Sequence, residues 1–155
     1  MIYKPGEHIY LAAGFFKPNQ VNLCEYIEGL GKELGLAIYS PRLDGGVLKK
    51  NASSEEKEEI FQSNCTSIQV ARWVLVVIDD YDPGVIWELG YAYGMGKLCI
   101  AYSDVSGRGL NVMLAESCRG GFINGRDILM DHLTWHSQNR SMDPTYGKPW
   151  EGSIN

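Results

Sequence analysis

The chain has 155 residues, 45% of them hydrophobic and 21% charged. Those are the proportions of an ordinary globular domain, long enough to bury roughly 68–70% of its unfolded surface. A formal net charge of −5 argues against nucleic acid as a partner, because neutralising phosphates takes a basic surface. No apolar run is long enough to cross a bilayer, and the opening Met-Ile-Tyr-Lys-Pro-Gly lacks the apolar core of a signal peptide. One domain over residues 1–155, cytoplasmic and without membrane contact, is therefore expected.

Cys24, Cys65, Cys99 and Cys118 are widely spaced and form no C-x-x-C pair, so they read as small buried hydrophobes in a reducing compartment. His132 and His136 are four apart but lack the Glu of an H-E-x-x-H motif, and the pair is expected on a solvated helix face. No metal is assigned.

In chain order, Ile9 to Gly14 predicts a first strand ending in Ala-Ala-Gly, small residues that let backbone or ligand approach closely or simply turn tightly. Leu23, Tyr26, Ile27 and Leu30 recur at helical spacing, and Gly35 suits the C′ position of that helix. Leu36 to Tyr39 predicts a second strand, followed by the loop Ser40-Pro41-Arg42-Leu43-Asp44-Gly45-Gly46. Ser53-Ser54-Glu55-Glu56 fits a capping box and opens a helix running to about Ala71. Leu98 to Tyr102 and Phe122-Ile123 predict two further strands, and Asp127 to about Trp135 a last helix.

The most informative stretch lies between, at residues 73–97. Val74 to Ile78 is an unbroken β-branched and aliphatic run bounded by Asp79-Asp80, as in a parallel strand buried on both faces. Asp82-Pro83 makes a helix start, with Asp at the N-cap and Pro at the first helical position. The helix that follows, to about Gly96, carries one charged side chain, Glu88, among Val85, Ile86, Trp87, Leu89, Tyr91, Ala92, Tyr93 and Met95. A helix apolar nearly all round is expected to be buried, and an ionised carboxylate inside it is costly unless compensated. Acids at the carboxyl end of a parallel strand sit where α/β enzymes place their active sites. On spacing alone two readings stay open for each acid: Asp82 as a helix cap or a working acid, Glu88 as a working acid or a group reaching solvent or a structural arginine. There is no G-x-G-x-x-G, and residues 90–97 lack the spacing and Ser/Thr of a phosphate loop.

The pattern Asp82, five residues, then Glu88-Leu89-Gly90-Tyr91-Ala92 resembles the nucleoside 2-deoxyribosyltransferase family in residue type and spacing. The resemblance extends to Ile9-Tyr10-x-x-Ala13-Gly14-x-Phe16, to the Pro-x-Leu-Asp loop, to Asn111-Val112-Met113 and to the ending Trp150-Glu151-Gly152, so it spans nearly the whole chain. The resemblance agrees with the flavodoxin-like α/β fold that the alternation of predicted strands and helices gives, an open, mainly parallel five-stranded sheet flanked by helices. It also implies exchange of nucleobases on deoxyribonucleosides through a covalent deoxyribosyl-glutamate, without metal or organic cofactor. Glu88 would be the nucleophile, Tyr10 would hold its carboxylate, and Asp82 would contact base or sugar. Ala13, Gly14, Phe15 and Phe16 would line the substrate pocket. Glycines stand near the position of the family's base-contacting amide, where Arg42 would substitute or would only bind a surface acid. Asn64 stands at a base-contacting Asp of the family; an amide hydrogen-bonds a base but donates no acidic proton. Asn111 and Met113 would enter a neighbouring subunit's site, and Asn155 would lie at the active site. The implied partners are a deoxyribonucleoside, a free nucleobase and further copies of the chain, a hexamer built from dimers. Two other classes remain open: a deoxynucleoside 5′-monophosphate N-glycosidase, against which the absence of a hydroxyl in residues 12–16 speaks, and a flavodoxin-like module that binds nucleotides without turnover.

Overall fold

A computed structural model describes residues 3–105 and 107–155. Five strands, β1 (His8–Ala12), β2 (Ala37–Tyr39), β3 (Trp73–Val77), β4 (Cys99–Ser103) and β5 (Phe122–Asn124), form one sheet in the order β2-β1-β3-β4-β5. All four pairings are parallel, and this is the flavodoxin-like strand order. The three central strands are buried along their whole length, which is why they read as apolar runs rather than alternating ones.

Helices α1 (Pro18–Leu34) and α5 (Arg126–Gln138) cover one face of the sheet. Their Leu23, Ile27, Leu30, Leu129 and Leu133 pack with Leu11, Leu75 and Ile100. Helices α2 (Ser54–Val70) and α3 (Pro83–Gly94) cover the other, where Ile68, Val85 and Leu89 meet Tyr10, Val74 and Val76. The local signals work as expected. Gly35 closes α1 in the left-handed region at φ 67°, and the Ser53 hydroxyl accepts the Glu56 N–H at 3.1 Å. All four cysteines are free and buried.

Two features go beyond the sequence reading and two correct it. Asn111 caps a short helix, α4 (Val112–Ser117), through a bond from the Met113 N–H at 2.8 Å. The tail is held by an isolated parallel bridge between Leu110 and Ile154, with the Asn155 N–H donating to the Leu110 carbonyl at 2.9 Å. His132 and His136 are not on a solvated face but buried, and Trp73 Nε1 donates to His136 Nε2 at 3.3 Å. Indole nitrogen is a donor only, so that bond fixes His136 as the Nδ1–H tautomer. Finally, α3 is not buried all round: Trp87, Tyr93 and Met95 are 48%, 40% and 47% exposed. Only its Val85, Leu89 and Ala92 stripe faces the sheet.

No helix among the described residues is long and apolar enough to cross a membrane.

Candidate active site

The strand order reverses between β1 and β3, and α/β sheets open a crevice at such a point beyond the carboxyl ends of the strands. Three sequence-predicted residues meet there. Tyr10, in the middle of β1, points to the α2/α3 side, opposite Tyr39 of β2 and Val74 of β3 in register. Its hydroxyl donates to Oε2 of Glu88 on α3. Asp82 accepts the Val85 N–H at 3.1 Å and so caps the helix that carries Glu88. The cap and the acidic-site readings of Asp82 are thus compatible, since its charge also acts on Glu88.

Glu88 is half-buried, and its electrostatics follow from position. Burial pushes the carboxyl up, the Tyr10 hydrogen bond pulls it down, and the nearby Asp82 charge raises it; the net is a pKa of about 7. Tyr10 is fully buried, and burial together with the Glu88 charge drives its pKa far above the ordinary phenol value. It stays a donor at every physiological pH. No ion pair joins Glu88 to a cation among the described residues, which removes the structural-arginine reading.

Tyr39, which the sequence did not single out, completes the wall. Its ring stacks on Tyr10 at 5.4 Å and 14°, and its hydroxyl donates to Asn64 Oδ1 at 3.1 Å. Asn64 is therefore oriented with its oxygen engaged, and its Nδ2–H₂ group makes no hydrogen bond among the described residues. Gly45 closes on the same oxygen, since a Cβ there would lie 2.8 Å from Asn64 Oδ1. The Pro41–Gly45 turn is wound as one π-type turn. In it Arg42 pairs with Glu28 of α1, whose carboxylate also accepts the Ser40 hydroxyl at 2.7 Å. Of the two openings left for Arg42, the acid partner is the one realised.

At the end of β1, Ala13 and Gly14 are buried, while Phe15 and Phe16 stack on each other at 4.8 Å with Phe16 78% exposed. A cleft of about 390 Å³ opens beside them on the α1/α5 side, lined by Gly14, Gln20, Asp80, Arg108 and Arg126 among others. Glu88 stands on the other side of the sheet. Asn111, Met113 and Asn155 make no hydrogen bond to Glu88, Tyr10 or Asp82 among the described residues; Met113 is 72% exposed. No group of three His, Cys, Asp or Glu side chains able to hold a metal occurs among the described residues.

A family model described as nucleoside 2-deoxyribosyltransferase matches residues 9–120. Among solved structures, a 2-deoxyribosyltransferase from the psychrotolerant bacterium Bacillus psychrosaccharolyticus is 26% identical, with a TM-score of 0.71 over 92% of this chain and 98% of its own. That protein is described as a biocatalyst for the synthesis of antiviral and antitumoral nucleosides. A conserved protein from Enterococcus faecalis V583, 17% identical with a TM-score of 0.69 over 83% of this chain and 98% of its own, shares the fold. No curated protein matches the chain significantly.

Proposed function

The chain belongs to the nucleoside 2-deoxyribosyltransferase family, and from that premise we propose that its 155 residues act as one domain exchanging nucleobases on 2-deoxyribonucleosides by double displacement. The observation that carries this reading is the Tyr10–Glu88 pair: a half-buried carboxylate at a switch point, held by a phenol and, among the described residues, by no cation.

In the first half-reaction a Glu88 oxygen attacks the anomeric carbon while the bond to the base nitrogen breaks and its electron pair leaves with the base. A proton reaches the departing base from Asp82 or from water. In the second, the nitrogen of another base attacks the same carbon, its N–H proton passes to Asp82 or to water, the ester bond breaks and Glu88 is released as carboxylate. Two inversions give net retention. The transition states carry oxocarbenium character, which a fixed anion stabilises. Tyr10 supports both roles by donating to whichever charge the carboxylate holds. Asn64, with Nδ2–H₂ presented, suits an acceptor atom on the base.

Self-association is part of the proposal. Trp87 and Tyr93 on α3 and Met95 at its C-cap, with Val112 and Met113 on α4 at 45% and 72% exposure, form apolar surface that a lone chain leaves in water. Asn111 begins that α4 surface, so a paired copy would bring it to the neighbour's sugar site, as in the hexamer built from dimers that the resemblance implies.

Incubation with thymidine and adenine tests the proposal. Deoxyadenosine supports it, free thymine without deoxyadenosine indicates a hydrolase, and binding without either product indicates a non-catalytic module.

A further inference from the structure

The connection from β3 to Asp82 is strained. Asp80 has φ 64° and Tyr81 φ 47°, two successive L-residues in the left-handed region. Such a conformation is unfavourable for an L-residue and persists only where its surroundings over-determine it. From the β4 side the Asp79 carboxylate accepts the Ser103 hydroxyl and, at 2.9 Å, the Asp104 N–H. Tyr81 donates to the Gly109 carbonyl at 2.7 Å under the Arg108 guanidinium, 5.2 Å above its ring.

From the β1 side one side chain does the same. Gln20 Nε2 donates to Asp80 Oδ2 at 3.1 Å, while Gln20 Oε1 accepts the N–H groups of Phe16 at 3.0 Å and Lys17 at 3.1 Å. Both ends of one amide are engaged, across the crevice between β1 and β3. This also accounts for Gly14, where a Cβ would lie 2.8 Å from Gln20 Nε2. Glycine there makes room for the amide of the chain itself.

We infer that Gln20 is a positioning residue for glycosyl transfer, tying the Phe15–Phe16 loop to the strained turn that delivers Asp82. Asp82 follows Asp80 by two residues and caps the helix bearing Glu88, so a shift of the turn moves the carboxylate pair against the loop opposite. Displacements of about 1 Å at a reacting site cost up to about 10²-fold in rate. The inference rests on the reading of Glu88 as nucleophile.

The test separates the two ends of the amide. Gln20→Glu keeps an acceptor for Phe16 and Lys17 but sets a carboxylate against Asp80; Asp80→Asn added to it restores a donor. Asp80→Asn alone keeps an oxygen for Gln20 Nε2. Expected are about a tenfold fall in kcat for Gln20→Glu relative to wild type, and recovery in the double variant to within about twofold of Asp80→Asn alone. Gln20→Ala should also speed amide hydrogen exchange at Phe16 and Lys17. Unchanged kcat in Gln20→Glu, or no recovery in a folded double variant, overturns the inference. The exchange measurement needs no turnover. If the wild-type chain forms no deoxyadenosine, the functional proposal fails and exchange still decides whether Gln20 clamps the loops.

Discussion

The Tyr10 hydroxyl meets Oε2 of Glu88 across 78 positions of sequence, and the ring behind that hydroxyl is pinned by its stack on Tyr39. A phenol so held cannot swing away, and its raised pKa keeps it a donor. It is the one interaction that lowers the Glu88 pKa against the combined push of burial and Asp82.

Tyr10→Phe should therefore raise the Glu88 pKa above its present value of about 7. Because attack needs the carboxylate, the acid limb of the kcat/KM profile for thymidine should move to higher pH, with a larger loss at pH 6 than at pH 9. An acid limb at the same pH in both proteins would show that the hydroxyl does not act on the nucleophile.

Glu88→Gln should abolish transfer by at least about three orders of magnitude, since an amide of equal volume is no nucleophile. It should also change how stability depends on pH. The Glu88 pKa is raised from 4.5 to about 7, so the folded chain keeps a proton that the unfolded chain has already lost. The wild-type group thus costs stability progressively as pH rises from 4.5 through 7, up to about 3 kcal/mol once both states are ionised. The Gln variant should unfold at higher denaturant than wild type at pH 8 and at nearly the same denaturant at pH 4. Parallel stability curves across that range would contradict a desolvated carboxylate.

Asn64→Asp exchanges the Nδ2–H₂ donor for an acceptor while leaving an oxygen for the Tyr39 hydroxyl. The ratio of purine to pyrimidine transfer should change several-fold, more than the KM for a common deoxyribose donor. A constant ratio across a panel of bases would place Asn64 outside the base site.

Glu88→Ala and Asn111→Ala proteins should each be nearly inactive alone and should complement when refolded together. Half of randomly formed pairs are mixed, and each mixed pair holds one site with both wild-type residues, so about a quarter of sites recover. Mixed oligomers seen by mass spectrometry without recovered activity would assign Asn111 to its own chain or to no site.

Strands β1, β3 and β4 were legible because burial on both faces writes an apolar run, while Asp82, Glu88 and Tyr10 could be named as candidates only because they match the pattern of a known family. What stayed hidden depends on partners distant in sequence. Tyr39 matters through its register opposite Tyr10 in a three-residue strand too short to show a period. The burial of His132 and His136 depends on Trp73, which arrives from another element. Helix α4 has six residues, fewer than two turns, so no periodicity could announce it. Gln20 acts through backbone amides and a strained turn, neither of which leaves a compositional trace. Gly14 was legible as a close approach, but the approaching group proved to include Gln20.

All four thiols are buried, Cys24 on α1, Cys65 on α2, Cys99 on β4 and Cys118 at the end of α4. Burial pushes the Cys99 and Cys118 thiols up to about 12 and Cys24 to about 11, which leaves almost no thiolate at neutral pH. Alkylating reagents and oxidants attack thiolate, so each sulfur is shielded twice, by access and by protonation. The rate at which a reagent reaches each one therefore becomes a clock for local opening. It can be read position by position, without adding any label to the protein.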